Sequence, residues 1–241
     1  MRPARSRSWR TSWPDHSTAP ANYHLPVRLH QQNNFCWYDV RVQSVAEIPF
    51  IAGHVALDFV NTAEGRGHAD SGEALHTADD LRQWGERRGV IAPSVITDSV
   101  IAGDDELPAA LQARELLYRL FLDQTQGRRA AAEDLATLER LVSGAYQVAH
   151  LDQAADGRFS WGWDRAQLST VRYVVVTSAL ALLSQSPSAR LKQCPGDDCG
   201  WFFIDTTKRG NRRWCSMSEC GQEAKTARRR VRPASHEVDA R

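Results

Sequence analysis

Long apolar runs are missing from this chain. A membrane-spanning helix needs roughly 18 or more apolar residues in a row. The richest stretch, VVVTSALALL (174–183), is shorter and is interrupted by Thr177 and Ser178. No membrane partner is expected. The opening MRPARSRSWRTSWPDHSTAPANYHLP is basic but has no apolar core, so it does not read as a secretory signal. That predicts a cytoplasmic protein with reduced thiols. Net charge is scarce as well: 30 Lys+Arg against 29 Asp+Glu leave +1, which favours no class of partner. Methionine occurs only as Met1 and Met217, so no internal Met start is available. Glycine-rich phosphate loops, Ser/His/Asp arrangements and paired carboxylates in an identifiable pocket are also absent. The expectation is a protein that is not an enzyme.

What is present suits a globular protein: 241 residues, 42% hydrophobic and 24% charged. Residues 1–46 are interrupted by Pro, Ser, Gln and Asn and read as a disordered leader, as does the tail at 233–241. Order is expected to begin near IPFIAGHVALDFVNT (48–62). TADDLRQWGERRG (77–89) has Thr77 as N-cap, acids in its first turn and Gly89 as a stop. LPAALQARELLYRLFLDQT (107–125) and AAEDLATLERLVSGAY carry helical stripes, the second through Leu135, Leu138, Leu141 and Val142. RFSWGWD (158–164) alternates like a hairpin arm. AQLSTVRYVVVTSALALLSQ (166–185) reads as a largely buried helix ending near Pro187. The expected fold is mainly α, with a helical domain over 47–188 and a small separable module over 190–232.

That module holds four of the five cysteines. Cys194/Cys199 and Cys215/Cys220 form two pairs of equal spacing, C-x4-C-x15-C-x4-C. Four thiolates make the usual closed tetrahedral zinc site, which has no open catalytic position. One structural Zn2+ is expected; two disulfides are the alternative, and no export signal supports them. Cys36 reads as an incidental free thiol. WFFID and RRWCS, joined by TTKRGN, read as a β-hairpin, and the stretch after Cys220 reads as a helix. Knuckle, hairpin and helix make a treble-clef-like finger with four cysteine ligands.

Charge is unevenly spread. Between Thr206 and Arg232 there are nine Lys/Arg and two acids, whereas residues 47–205 hold 14 Lys/Arg and 23 Asp/Glu. Lys208, Arg209, Arg212, Arg213, Lys225, Arg228, Arg229, Arg230 and Arg232 therefore form a basic module on an acidic body. Such density fits phosphate contacts; a solvated basic face is the alternative. Trp201 and Trp214 suit either base stacking or a tiny core. Gln222, early in the last helix, suits base readout.

Together these residues resemble the bacterial CGNR zinc-finger family, whose N-terminal helical part is the ABATE domain. RLKQCPGDDCGWFFIDTTKRGNRRWCSMSECG carries its cysteine spacing, its Phe-x-Asp run (Phe203, Asp205) and its RRWCSM block, and GHVALDFVNT (53–62) resembles its opening motif. The resemblance implies a stress-induced DNA-binding transcription regulator. The chain departs from it after Cys220, where Gly221-Gln222-Glu223 replaces Gly-Asn-Arg. An arginine contact to phosphate would be lost there, while Glu223 favours the helix N-terminus.

His54, Asp58 and Asn61 share a helical face in GHVALDFVNT. They suit a ligand pocket or a polar network that fixes the helix against the core. The leading reading is a regulator whose finger contacts DNA and whose helical domain senses a small-molecule effector or forms a homodimer. An RNA-binding or protein-interaction module is the second reading. An enzyme in the helical domain, using His54 and Asp58, is the third.

Overall fold

Residues 44–66, 71–93, 106–185 and 190–231 are described by the computed structural model. The leader up to residue 43 with Cys36, Pro187, and the tail from Arg232 lie outside the described residues. Structure begins earlier than the sequence predicts: Val45 is buried, and Arg87 donates to the Val45 and Ile48 carbonyls.

Helix α1 (Val55–Val60) starts at His54, whose Nδ1 accepts the Ala56 N–H at 3.3 Å. Strands β1 (Ala63–Glu64) and β2 (Gly72–Glu73) form a short antiparallel pair. Helix α2 (Ala78–Arg87) opens on the expected Thr77 cap, with Asp80 closing a reciprocal capping box. Gly85 lets α2 approach closely: a Cβ there would meet Val171 Cγ2 at 2.7 Å.

Helices α3 (Glu106–Thr125), α4 (Ala132–Gln147) and α5 (Ser169–Leu183) complete the helical body, with α5 packed against α1, α3 and α4. Arg114 of α3 is buried; its guanidinium bridges Glu73 and the Thr62 hydroxyl and so fastens the β1–β2 pair to the body. Between α4 and α5, strands β3 (His150–Gln153) and β4 (Phe159–Gly162) form the hairpin that RFSWGWD predicts. Leu135 departs from its predicted stripe: it is exposed, while Leu138 and Val142 are buried.

Strands β5 (Leu191–Gln193) and β6 (Phe202–Ile204) pair antiparallel, and helix α6 (Cys220–Val231) closes the described chain. The predicted pairing of WFFID with RRWCS does not form. Residues 205–215 instead loop around Asp205, and β6 pairs with the strand before the first cysteine.

The 190–232 module is not a detached unit. Phe202 and Phe203 are fully buried in the same hydrophobic core as α1, α3 and α5, and all of these belong to one compact unit. The Phe202 ring lies 5.5 Å from Tyr118 and 5.9 Å from Phe121. The Ile204 N–H donates to the Ala52 carbonyl at 2.8 Å, continuing β6 into the chain before α1.

Candidate metal centre and nucleic-acid interface

Two turns bring the cysteines together. In the first, the β5–β6 pair is closed by Cys194 N–H donating to the Trp201 carbonyl at 2.7 Å and Cys199 N–H donating to the Gly196 carbonyl at 3.2 Å. Gly200 sits at φ 68°, which favours glycine, and a Cβ on Gly196 would press within 3.1 Å of Cys199 Cβ. The second turn brings Cys215 and then Cys220, the first residue of α6.

The four sulfurs of Cys194, Cys199, Cys215 and Cys220 lie within 4.8 Å of one another, with Cys199–Cys215 at 3.5 Å and Cys215–Cys220 at 3.6 Å. Zn–S bonds of about 2.3 Å in a tetrahedron place sulfurs about 3.8 Å apart. The set therefore fits one zinc ion, and all four cysteines are free of disulfides. Hydrogen bonds from Cys199, Cys215 and Cys220 hold the Cys194 thiol far below its usual range. Contact with Cys194, and then with Cys220, pushes the Cys199 and Cys215 thiols up. A divalent cation replaces this competition for protons with four bonds.

Asp205 organises the loop between the pairs. Its buried carboxylate accepts from Lys192 Nζ at 2.7 Å, from the Thr207 N–H and hydroxyl at 2.9 and 2.6 Å, and from the Arg212 N–H at 2.8 Å. Burial opposes its charge, but these donors prevail and hold it well below the usual carboxylate range. Lys192 also donates to the Gly210 and Arg212 carbonyls. A lysine two residues before a knuckle cysteine carries no sequence signal for this role. The Phe-x-Asp run is the visible half of it.

The predicted basic residues divide into two groups. Arg212 turns inward: its guanidinium lies 4.5 Å from the Phe203 ring centroid and donates to the Trp214 and Cys215 carbonyls. Lys208, Arg209, Arg213, Lys225 and Arg228 are exposed, as is Gln222. Arg229 and Arg230 belong to α6. By contrast, Arg82, Arg119, Arg128 and Arg172 of the helical body each pair with a carboxylate. Trp201 is buried and Trp214 partly so, and both pack in the core cluster. Gly221 is buried against Met217 and Trp214, while Glu223 is exposed in the first turn of α6.

The other candidate cluster meets protein partners. Asp58 is buried, accepts the Ala52 N–H at 3.1 Å and pairs with Arg88 at 3.0 Å. Burial raises its pKa; the Ala52 N–H and Arg88 only partly offset that. Burial, then the charge of Arg88, lowers that of His54. Asn61 binds the Phe202 backbone through both ends of its carboxamide. A polar cleft of about 170 Å³ lies elsewhere, lined by Arg66, Tyr118, Gln193 and the knuckle glycines.

No helix among the described residues is long and apolar enough to cross a membrane. No curated protein matches this chain. Two family models do. Residues 190–233 match the CGNR zinc finger, and residues 53–186 match ABATE, described as "putative stress-induced transcription regulator". Neither description names an enzyme. The ABATE match spans more than half of the sequence and runs directly into the finger, so the chain belongs to the ABATE family, with a CGNR zinc finger as its C-terminal module.

Proposed function

We propose that this protein is a cytoplasmic transcription regulator that docks on duplex DNA through its finger, residues 190–232. The observation that carries the reading is the set of exposed basic side chains on the segments that follow each cysteine pair. Lys208, Arg209 and Arg213 come from the loop between the cysteine pairs, and Lys225 and Arg228 come from α6. One zinc ion held by Cys194, Cys199, Cys215 and Cys220 would fix the segments that carry these cations, which lowers the entropy cost of meeting a regular row of phosphates. Phosphate contacts then set the register, and base edges must supply the choice of sequence.

Gln222, exposed in the first turn of α6, is the residue best suited to that choice, because glutamine can pair with adenine through two hydrogen bonds. Glu223 beside it stands where the family has arginine, so a phosphate contact by that arginine would be absent here. The role of residues 47–188 is to give the finger its second state or second copy, by binding an effector or by dimerising.

The test is competition in fluorescence anisotropy between a labelled duplex and unlabelled single-stranded RNA of the same sequence. Duplex DNA should compete at least about tenfold better than the RNA, a gap of about 1.4 kcal/mol. Equal or better competition by RNA would replace this reading with RNA binding. Selection from randomised duplexes should yield a preferred site that Gln222→Ala blurs.

A further inference from the structure

Eight large hydrophobic side chains are exposed among the described residues, and five of them lie close together in the chain: Tyr146, Val148, Leu151, Phe159 and Trp161. The hairpin register explains how they gather. Leu151 faces Trp161 across the β3–β4 ladder, and Gln153 faces Phe159. Directly opposed residues share a face of a sheet, so Leu151, Phe159 and Trp161 form one face. His150, Asp152 and Ser160 form the other. Tyr146, at the end of α4, meets Trp161 edge-on with ring centroids 5.5 Å apart and extends the apolar face.

The hairpin is held against the body. Trp163, just beyond β4, packs against the core and donates from Nε1 to the Ala145 carbonyl at 2.8 Å. A two-stranded hairpin on its own is marginal in water, and an apolar patch of more than a few hundred Å² on a soluble protein marks an interface.

The area suits self-association. Phe159 is 64% exposed, Trp161 53% and Tyr146 41%. With aromatic side chains presenting roughly 150–250 Å² each, these three leave about 300 Å² open. Leu151 brings the patch to about 400 Å², by the same kind of estimate. Two copies packed face to face would bury about 800 Å² of apolar surface, to which a polar rim adds toward the roughly 1,000 Å² of a specific interface.

Charge favours a second copy over an ionic partner. At the hairpin tip Arg158 pairs with Asp156 at 2.6 Å, and on the polar face His150 lies 3.4 Å from Asp152. The tip beside the apolar face, where the Arg158 and Asp156 charges meet, therefore presents no single sign that would attract a polyanion or repel its own twin. A twofold contact uses the same patch on both copies, and this face supplies one apolar patch per copy. We infer that the protein forms a twofold homodimer by stacking the Leu151–Phe159–Trp161 faces of two β3–β4 hairpins. This interface does not depend on DNA binding.

Sedimentation equilibrium of the full zinc-loaded chain tests it. The expected mass at high micromolar concentration is about 54 kDa, twice the 27.0 kDa of one chain. Phe159→Glu and Trp161→Glu each bury an unpaired carboxylate in the contact and should raise the dissociation constant at least about 100-fold. Ser160→Glu, on the opposite face, should leave it within about threefold, a shift under about 1 kcal/mol. Helical circular dichroism and zinc content should be unchanged in all three variants; if either face variant fails that check, Leu151→Glu takes its place. A chain that stays at 27.0 kDa throughout, or a dimer equally indifferent to the face variants and to Ser160→Glu, overturns the inference. So does a dimer that Ser160→Glu disrupts as strongly as Phe159→Glu.

Discussion

The Asn61 carboxamide and the Phe202 backbone exchange two hydrogen bonds across 141 residues of sequence. Asn61 Nδ2 donates to the Phe202 carbonyl at 2.9 Å, and the Phe202 N–H donates to Asn61 Oδ1 at 2.9 Å. The asparagine acts as a one-residue strand beside β6. It ties the end of α1 to the start of β6 in the finger's sheet.

Asn61→Ala removes both partners and leaves a buried N–H and carbonyl on Phe202. Each unsatisfied group costs about 1–3 kcal/mol, so the variant should lose about 2–6 kcal/mol in urea unfolding. Asn61→Asp should also be destabilised at neutral pH, because a carboxylate cannot donate to the carbonyl. A loss under about 0.5 kcal/mol for the alanine variant would show that water replaces the pair.

The cysteine cluster should hold one zinc per chain, readable by elemental analysis. Structural zinc sites contribute roughly 10–16 kcal/mol of apparent binding energy. Cys199→Ser or Cys215→Ser should therefore abolish tight zinc binding and disorder the finger. Because Phe202 and Phe203 sit in the same core as α3, the loss should also lower the melting temperature of the helical body. A fragment ending near Ser188 should be destabilised for the same reason, rather than standing alone as the sequence suggests. If chelation leaves the melting curve of the helical body unmoved, the shared core is energetically idle.

His54 gives stability a pH dependence. Its folded pKa lies below the ordinary 6.5, chiefly through burial and then through Arg88. The unfolded chain therefore takes up the proton first. Stability is fully present above pH 6.5 and declines as pH falls from there toward the folded pKa. Protonating Nδ1 also removes the acceptor that caps Ala56. His54→Asn keeps a capping acceptor and removes the titration, so its stability should be flatter over this window. Asp58 titrates in both proteins and cancels in the comparison. Identical slopes would remove His54 from the account.

Much of this architecture is legible in the sequence. Thr77, Asp80 and Gly89 announce α2 through local chemistry, and the metal site follows from four equally spaced thiols. What is not legible depends on distant contacts. The β5–β6 pairing is hard to read because Leu191–Gln193 is three residues long and carries Lys192 at its centre. Arg212 looks like any other cation of the run, yet the Phe203 ring and two carbonyls claim it. Leu135 follows the helical period but is left exposed in the first turn of α4, while Leu138 and Val142 further along are buried. The Asn61–Phe202 pair has no local signature at all.

The most direct test of the central claim is a salt titration of duplex binding. If Lys208, Arg209, Arg213, Lys225 and Arg228 each neutralise one phosphate, log K should fall with log salt at a slope of about −4.5, at about −0.9 per contact. Arg213→Ala should reduce that slope by about one unit on every duplex sequence while leaving stability unchanged within about 0.5 kcal/mol. Arg212→Ala should do the reverse, lowering stability through the lost bonds to Trp214 and Cys215. Binding that is absent at low salt, or a slope indifferent to all five exposed cations, would contradict the account.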